Sequence, residues 1–233
     1  MTERVAMVAG PTGLVGRQLW PLLASDNRWS RVILLSRRPL AALPAGVECL
    51  QIDFEHPHKV LSQVPVDDLF WCLGTTLKQA GSREAFARID RDYAQWVVES
   101  LQAAGPLQHI LAVTAMGSNA RSRVFYNRIK GQLEQNLNRS SVPAVTLLRP
   151  SLLLGERHDQ RLLEGLGNRV AGPVSKLMRG PLAPWAPVPG YCVAQAMHRA
   201  AVARLESPHI RRHRSSIASD QMRRDCQHDT SRT

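Results

Sequence analysis

Tyr126 and Lys130 stand four residues apart in a segment with a helical pattern, so both side chains should lie on one face of a helix. A phenol releases its proton reluctantly at neutral pH, and a neighbouring ammonium stabilises the phenolate. The spacing therefore predicts a general acid or base at Tyr126. Thr114 ends the preceding predicted strand and Ser118 follows within one turn of chain, and either hydroxyl could stabilise charge on a substrate oxygen. The sequence does not choose between these two hydroxyls.

Three glycines at a GxxGxxG spacing connect a short apolar run to an apolar helical run near the start of the chain. Glycine is required where a chain turns sharply and where its backbone approaches a pyrophosphate. The start of the following helix offers unpaired N–H groups and the positive end of the helix dipole. The pattern predicts a dinucleotide-binding turn. Its expected contacts are Gly10, Thr12, Gly13, Leu14, Val15 and Gly16.

The residues after the second predicted strand indicate which dinucleotide is bound. A site that prefers NAD places an acidic residue about 20 positions beyond the last glycine. Ser36 stands there instead, and Arg37 and Arg38 follow it. A guanidinium binds phosphate through two hydrogen bonds and stacks on adenine, so the Arg pair predicts the 2′-phosphate of NADP(H). Lys130 could hold the ribose hydroxyls of the nicotinamide. A solvated arginine pair at a strand end is the alternative.

Short apolar runs alternate with segments of helical periodicity through most of the chain. Alternation of this kind predicts an α/β, Rossmann-type, doubly wound parallel sheet with helices on both faces. Strands are expected near residues 4–9, 31–35, 47–52, 68–73, 109–114 and 144–148. Helices are expected near residues 14–23, 82–104 and 121–139.

The last third of the sequence breaks the alternation. One NAD(P)-binding Rossmann domain is expected over residues 1–205, with a small substrate-pocket region mainly at 151–195, because the proline-rich stretch 172–190 predicts a loop. Residues 206–233 are polar and basic and predict a partly ordered tail, with an edge strand near 214–218.

The 233 residues are 44% hydrophobic and 21% charged, enough for one compact core, and the net charge is +11. Residues 1–116 hold 11 basic and 11 acidic side chains, whereas residues 117–233 hold 19 and 8. Such a field suits an acidic protein partner or an anionic small molecule, and a solvated surface is the plain alternative. Nucleic acid is disfavoured because no base-stacking aromatic motif accompanies the arginines.

Several classes of protein are also disfavoured by what the sequence contains. No apolar run approaches the roughly 18 residues that span a bilayer, and the first apolar run is too short for a secretion signal. The four cysteines are far apart and lack a CxxC spacing, so we expect neither a metal site nor a disulfide framework. A reducing cytoplasm is the expected location.

Four segments in the middle of the chain add a family resemblance to these motifs. They are CLGTT at 72–76, IDRDY at 89–93, YNRIKGQLE at 126–134 and LRPSLLLGER at 148–157. Together with the glycine turn and the Arg pair, they resemble the atypical branch of the short-chain dehydrogenase/reductase superfamily, in its Tat-interacting-protein oxidoreductase-like group. The similarity extends from about residue 4 to residue 205.

This resemblance implies an NADPH-binding fold in which the three glycines line the pyrophosphate and Arg37 meets the 2′-phosphate. It further places Asp53 beside the adenine, Leu73, Gly74 and Thr75 near its ribose, Tyr126 and Lys130 at the nicotinamide, and Pro150 and Ser151 beside the carboxamide. Two departures stand out. The family's serine pair after the fifth strand is Thr114-Ala115 here, and the asparagine of the superfamily's catalytic tetrad has no secure counterpart.

The function expected from residues and resemblance together is NADPH-dependent hydride transfer to or from a small carbonyl or alcohol, with Tyr126 exchanging the proton. The alternative is a regulatory or interaction protein that binds NADPH with little or no turnover, because a fold does not by itself certify an enzyme.

Overall fold

The computed structural model describes residues 4–105, 107–154, 185–207 and 212–230. Within them, seven strands form one parallel sheet. They are β1 (Val5–Ala9), β2 (Arg31–Ser36), β3 (Val47–Gln51), β4 (Asp68–Trp71), β5 (His109–Val113), β6 (Ala144–Arg149) and β9 (His213–Ala218). A second, two-stranded sheet pairs β7 (Leu153–Leu154) with β8 (Val188–Pro189).

The strand order in the large sheet is β3-β2-β1-β4-β5-β6-β9. The chain builds outward from β1 in one direction, then returns to build outward from β4 in the other. The predicted Rossmann-type α/β fold is thus confirmed, and its strand order reverses between β1 and β4. In sheets of this design, ligands bind in the crevice at the carboxyl ends of the strands beside that reversal.

Helices cover both faces of the sheet. The described helices are α1 (Gly16–Ala24), α2 (His58–Leu61), α3 (Leu77–Ala80), α4 (Arg83–Ala87), α5 (Tyr93–Ala104), α6 (Phe125–Arg139), α7 (Gly190–Glu206) and α8 (Ser219–Thr230). Side chains of β1 alternate between two buried layers: Ala6 and Val8 belong to one, Met7 and Ala9 to the other. Burial on both faces explains why the strands are almost continuously apolar.

α1 begins two residues later than predicted, and the other two predicted helices differ more from the prediction. The helix expected over residues 82–104 consists of α4, a π-helical turn at Arg88–Asp92, and α5. The helix expected from residue 121 begins at Phe125, because Asn119 and Ser122 accept hydrogen bonds from nearby backbone N–H groups and form local turns first. Both differences lie next to the predicted Tyr-Lys pair.

The segment predicted as a partly ordered tail is regular structure from His213 to Thr230. The expected edge strand is present as β9, which pairs with β6, and α8 follows it directly. Cys226 of α8 forms a disulfide with Cys192 of α7, with the Cα atoms 5.3 Å apart. The expectation of no disulfide was therefore wrong, because sequence spacing does not show that two distant helices pack side by side. Most of the predicted proline-rich loop, residues 172–184, lies outside the described residues.

Among the described residues, no helix combines the length and the apolarity needed to cross a bilayer. The same residues hold no group of three or more His, Cys, Asp or Glu side chains placed to bind a metal ion.

Candidate functional site

The glycine turn lies at the reversal point, directly after β1. Gly10 has a φ of +79°, and a Cβ there would lie 2.8 Å from the backbone nitrogen of Leu73 beyond β4. A Cβ on Gly16 would clash with the carbonyl oxygen of Gly10, while the Gly13 N–H donates to that oxygen at 3.1 Å. The backbones of Gly10, Gly16 and the loop after β4 approach this closely only because the two glycines have no side chain.

Backbone donors line this turn. In the described chain, the N–H groups of Leu14 and Val15 donate to no protein acceptor. Val15 occupies the N-cap of α1 without a side-chain cap, and the first turn of α1 has no acidic residue. Uncapped donors at the positive end of a helix are what a pyrophosphate requires. The residues present therefore fit a dinucleotide.

The predicted adenosine end of the site lies after β2. Arg37 and Arg38 are exposed, and no carboxylate lies within ion-pair distance of either side chain in the described ranges. The Arg38 N–H donates to Ser36 Oγ at 3.2 Å, and Gln51 Nε2 donates to the Arg37 carbonyl at 3.1 Å. These bonds fix the backbone and leave both guanidiniums available. Asp53 is exposed nearby and accepts the Glu55 N–H at 2.9 Å.

The Tyr-Lys pair lies on α6 as predicted, in unequal surroundings. Tyr126 is 40% exposed, and its ring packs 5.9 Å from the buried ring of Phe86. Lys130 is buried, and its Nζ forms a 2.5 Å ion pair with Asp90. The structure therefore gives the lysine a carboxylate partner that the sequence did not assign.

Asp90 links the lysine to the loop after β4. Its side chain has no exposure, and its Oδ2 accepts the Thr75 N–H at 2.8 Å. A Cβ on Gly74 would lie 3.3 Å from Asp90 Oδ1 and 3.6 Å from Lys130 Nζ. Asp90 belongs to the π-helical turn, a rare geometry that is frequent at functional sites. The IDRDY segment contained this signal, since an acidic residue stands among apolar positions of a predicted helix.

The two candidate hydroxyls are both engaged within the protein. Thr114 is buried, and its Oγ1 donates to Glu134 Oε1 at 2.7 Å. Ser118 is half-buried, and its Oγ donates to the Ala115 carbonyl at 2.7 Å, closing a turn. Glu134 also forms an ion pair with Arg149, which raises the pKa of that guanidinium. Thr114 thus donates its proton to a buried carboxylate of the protein.

The predicted carboxamide end is tied to the C-terminal helix. The Pro150 carbonyl accepts the Met116 N–H at 2.8 Å. The Ser151 N–H donates to Ser219 Oγ at 3.1 Å, and that hydroxyl donates to Ser151 Oγ at 2.8 Å. Ser219 was not found by sequence reasoning, because it lies 68 residues further along the chain.

Curated proteins provide the first comparison. The chain is 32% identical to "Protein FMP52-1, mitochondrial" of Scheffersomyces stipitis over 178 residues, which cover 75% of this chain and 77% of that protein. It is 28% identical to "Protein HTATIP2" of Rattus norvegicus, with 74% and 72% of the two chains covered. The chain belongs to the atypical short-chain dehydrogenase/reductases, in the group of the Tat-interacting protein. The predicted family is confirmed, although no family model matches the sequence.

Solved structures provide the second comparison for this short-chain dehydrogenase/reductase. An oxidoreductase of the family from Burkholderia thailandensis has a TM-score of 0.67 at 20% identity and covers 100% of this chain and 99% of its own. MoeE5, solved with UDP-glucose and NAD, has a TM-score of 0.63 at 17% identity and covers 91% and 75%. These likenesses show that the chain shares the fold of these proteins.

The comparison corrects the expected location of this family member. Several fungal relatives, including those of Scheffersomyces stipitis, Debaryomyces hansenii and Candida glabrata, are named as mitochondrial proteins. The prediction of a cytoplasmic protein was therefore wrong. It depended on the scattered cysteines, two of which form the disulfide between α7 and α8.

Proposed function

We propose that this chain is an NADPH-dependent oxidoreductase of small carbonyl or alcohol substrates, with Tyr126 as the general acid or base. One observation supports the proposal most directly. Gly10 contacts the loop after β4 at Leu73, and the next residue of that loop, Gly74, lies beside Lys130 Nζ. A pyrophosphate bound at the glycine turn would therefore be linked to Lys130 of the Tyr-Lys pair through the Leu73-Gly74 segment.

Each residue has a separate task in this proposal. NADPH, when bound, supplies the hydride that a carbonyl carbon accepts. Tyr126, exposed at the start of α6, donates a proton to the carbonyl oxygen, or removes it in the reverse direction. Lys130 holds the ribose hydroxyls of the nicotinamide, and the Asp90 carboxylate keeps the Lys130 ammonium in place through their ion pair. Pro150 and Ser151 border the carboxamide.

The preference for NADPH is attributed to Arg37 and Arg38. Both are exposed at the end of β2, where an NAD site would carry an acid. Their guanidiniums suit the 2′-phosphate, because planar forks bind phosphate oxygens through two hydrogen bonds.

A cofactor titration tests this assignment. NADPH and NADH should be compared by calorimetry on the wild type, on Arg37→Ala, and on Arg121→Ala as a control with the same loss of charge on another exposed loop. We expect Arg37→Ala to weaken NADPH by about tenfold, close to 1.4 kcal/mol, and to leave NADH unchanged. Equal affinities for both dinucleotides in the wild type would contradict the Arg37 assignment.

Turnover has its own test. NADPH oxidation should be followed against a panel of aldehydes, ketones and quinones for the wild type and Tyr126→Phe. We expect the variant to bind NADPH normally and to lose at least about a hundredfold in kcat, the contribution typical of a general acid. Retention of the wild-type rate by Tyr126→Phe would exclude Tyr126 as proton donor.

A second function is supported by the hydroxyls. Thr114 and Ser118 both donate within the protein, and Asp90 pairs with Lys130, so three groups of the predicted catalytic set already have protein partners. An NADPH-binding regulatory or interaction protein with little turnover would have such a site. Tight NADPH binding without turnover on the whole panel, in wild type as in Tyr126→Phe, would favour this function.

A further inference from the structure

A groove of about 530 Å³ lies on the outer surface of α4, the π-helical turn and α6. Its charged lining is Arg83, Glu84, Arg88, Arg91, Asp92 and Arg128. None of these residues belongs to the predicted cofactor or catalytic set. The groove therefore has a chemistry of its own, dominated by guanidinium groups.

Two of the four arginines already have carboxylate partners. Arg91 donates to both oxygens of Asp92, at 2.6 and 3.0 Å, and also to Gln132 Oε1 at 2.8 Å. Arg88 lies 3.4 Å from Glu55. These pairs build one wall of the groove and neutralise most of its charge there.

Arg83 and Arg128 differ from them, because no carboxylate lies within 4.0 Å of either in the part of the chain that the structure describes. Their guanidinium carbons lie 5.4 and 5.7 Å from the ring centroid of Phe125. Arg128 also donates to the Ser122 carbonyl at 2.9 Å, which fixes its direction. Stacking on an aromatic ring orients a guanidinium and leaves its N–H edge for an anion.

Apart from Gln132, the remaining lining of the groove is apolar. Phe125 packs 5.6 Å from the buried ring of Phe86, and Ile129 and Ala87 continue the same lining. A ligand that satisfies this groove needs acidic groups for arginines of two different helices and an apolar group for the surface along them. A single small anion meets only the first requirement, whereas an extended peptide meets both.

We infer that this groove binds an acidic peptide segment of a partner protein. Two carboxylates of the peptide accept hydrogen bonds from Arg83 and Arg128, and an aliphatic side chain packs on Phe125. The positive charges of Arg83 and Arg128 repel each other at the Phe125 ring, and this repulsion decreases when the carboxylates bind. The inference is independent of NADPH binding and of turnover.

Fluorescence anisotropy with the full chain tests the groove. The probe is a short fluorescein-labelled peptide of alternating glutamate and leucine, and its control has glutamine for glutamate. The groove variant is Arg83→Gln with Arg128→Gln. The matched control is Arg121→Gln with Arg123→Gln, which removes the same charge from exposed positions outside the groove. We expect the groove variant to weaken the glutamate peptide at least about tenfold and the control to change it less than about twofold.

Each other outcome overturns the inference. An equal loss in both variants would indicate a general basic field, equal binding of the glutamine peptide would indicate apolar adsorption, and no binding by the wild type would indicate no peptide site. Displacement of the peptide by inorganic phosphate or by duplex DNA at equal charge concentration would assign the arginines to another ligand.

Amide hydrogen exchange of the wild type with the glutamate peptide gives a second measurement that does not depend on the folding of a variant. Protection should appear in residues 83–92 and 125–132. Protection confined to other segments would also overturn the inference.

Discussion

Asp90 is a fully buried carboxylate on a π-helical turn, and it is paired with a buried ammonium. Taking both charges out of water is costly, so such a pair is retained only when geometry and further hydrogen bonds compensate. Thr75 supplies one of these bonds through its backbone N–H. At the residue scale, Asp90 therefore fixes Lys130 and the loop after β4 relative to each other.

This coupling leads to a prediction about stability. Asp90→Asn preserves the shape and an acceptor for Thr75 but removes the charge opposite Lys130. We expect it to lower the free energy of unfolding by about 3 kcal/mol, because a buried charge loses its carboxylate. Lys130→Met should cost a similar amount. The double variant should cost much less than the two together, as measured by urea unfolding at pH 7.

If the losses of unfolding free energy in this double-mutant cycle were additive, they would contradict a direct interaction between Asp90 and Lys130. Glu134→Gln with Arg149→Met is a matched cycle on a second pair of α6 and β6, where Arg149 is 40% exposed. Solvent screening should make the coupling in that cycle smaller.

At the element scale, β9 and α8 complete the fold with a polar sequence. Arg214 on β9 donates to the carbonyls of Asn138, Ser140, Val142 and Pro143. Asn138 lies in the last turn of α6 and the other three residues follow the helix, so these carbonyls lack helical partners. Burial lowers the pKa of Arg214, yet the ring of acceptors holds its side chain. This arginine-rich segment is therefore stable as an edge strand, because the Arg214 guanidinium caps the end of α6.

The disulfide between α7 and α8 predicts the response to reduction. Cys192 and Cys226 enclose a loop with a sequence separation of 34, for which chain entropy gives a stabilisation of about 3–4 kcal/mol. We expect dithiothreitol to lower the midpoint of thermal unfolding in the wild type but not in Cys192→Ala with Cys226→Ala. Cys49→Ala, which removes an unpaired thiol, should respond like the wild type.

A wild-type protein whose unfolding midpoint is unchanged by dithiothreitol would contradict this prediction. The same helix carries Ser219, which binds Ser151 beside the predicted nicotinamide. We therefore expect loss of the disulfide to loosen the predicted carboxamide end of the site more than the glycine turn.

At the scale of the whole molecule, a buried histidine connects three strands of the sheet. His109 Nε2 lies 2.9 Å from Thr146 Oγ1, which lies 3.1 Å from Ser215 Oγ, so the contacts link β5, β6 and β9. Burial lowers the pKa of His109 to about 3 from an ordinary value of 6.5, and the charges of Arg204, His213 and Arg4 add to the effect.

The shift predicts how acid destabilises the fold. Between pH 6.5 and about 3 the unfolded chain binds a proton at His109 and the folded chain does not, so stability decreases as pH decreases through this window. We expect a contribution of about 1.4 kcal/mol per pH unit. In His109→Gln the slope of unfolding free energy against pH, measured by urea denaturation, should be smaller by that amount. Identical slopes would show that His109 titrates normally in the folded chain.

Much of the fold followed from the sequence, because its signals are local. Strands buried on both faces must be apolar throughout, and a turn that approaches phosphate must be glycine, so β1, the glycine turn and the order of elements could be predicted. The spacing of Tyr126 and Lys130 placed them on one helix for the same reason.

The tertiary structure alone decided which distant residues meet. Asp90 reaches Lys130, Cys192 reaches Cys226, and Arg83 shares the ring of Phe125 with Arg128. Each contact depends on how the helices pack against the sheet and, for Asp90, on the π-helical turn that carries it. Side-chain packing sets these distances, and the periodicity of the sequence does not. The sequence therefore determined the scaffold and the glycine turn, whereas packing determined the partners of the charged groups.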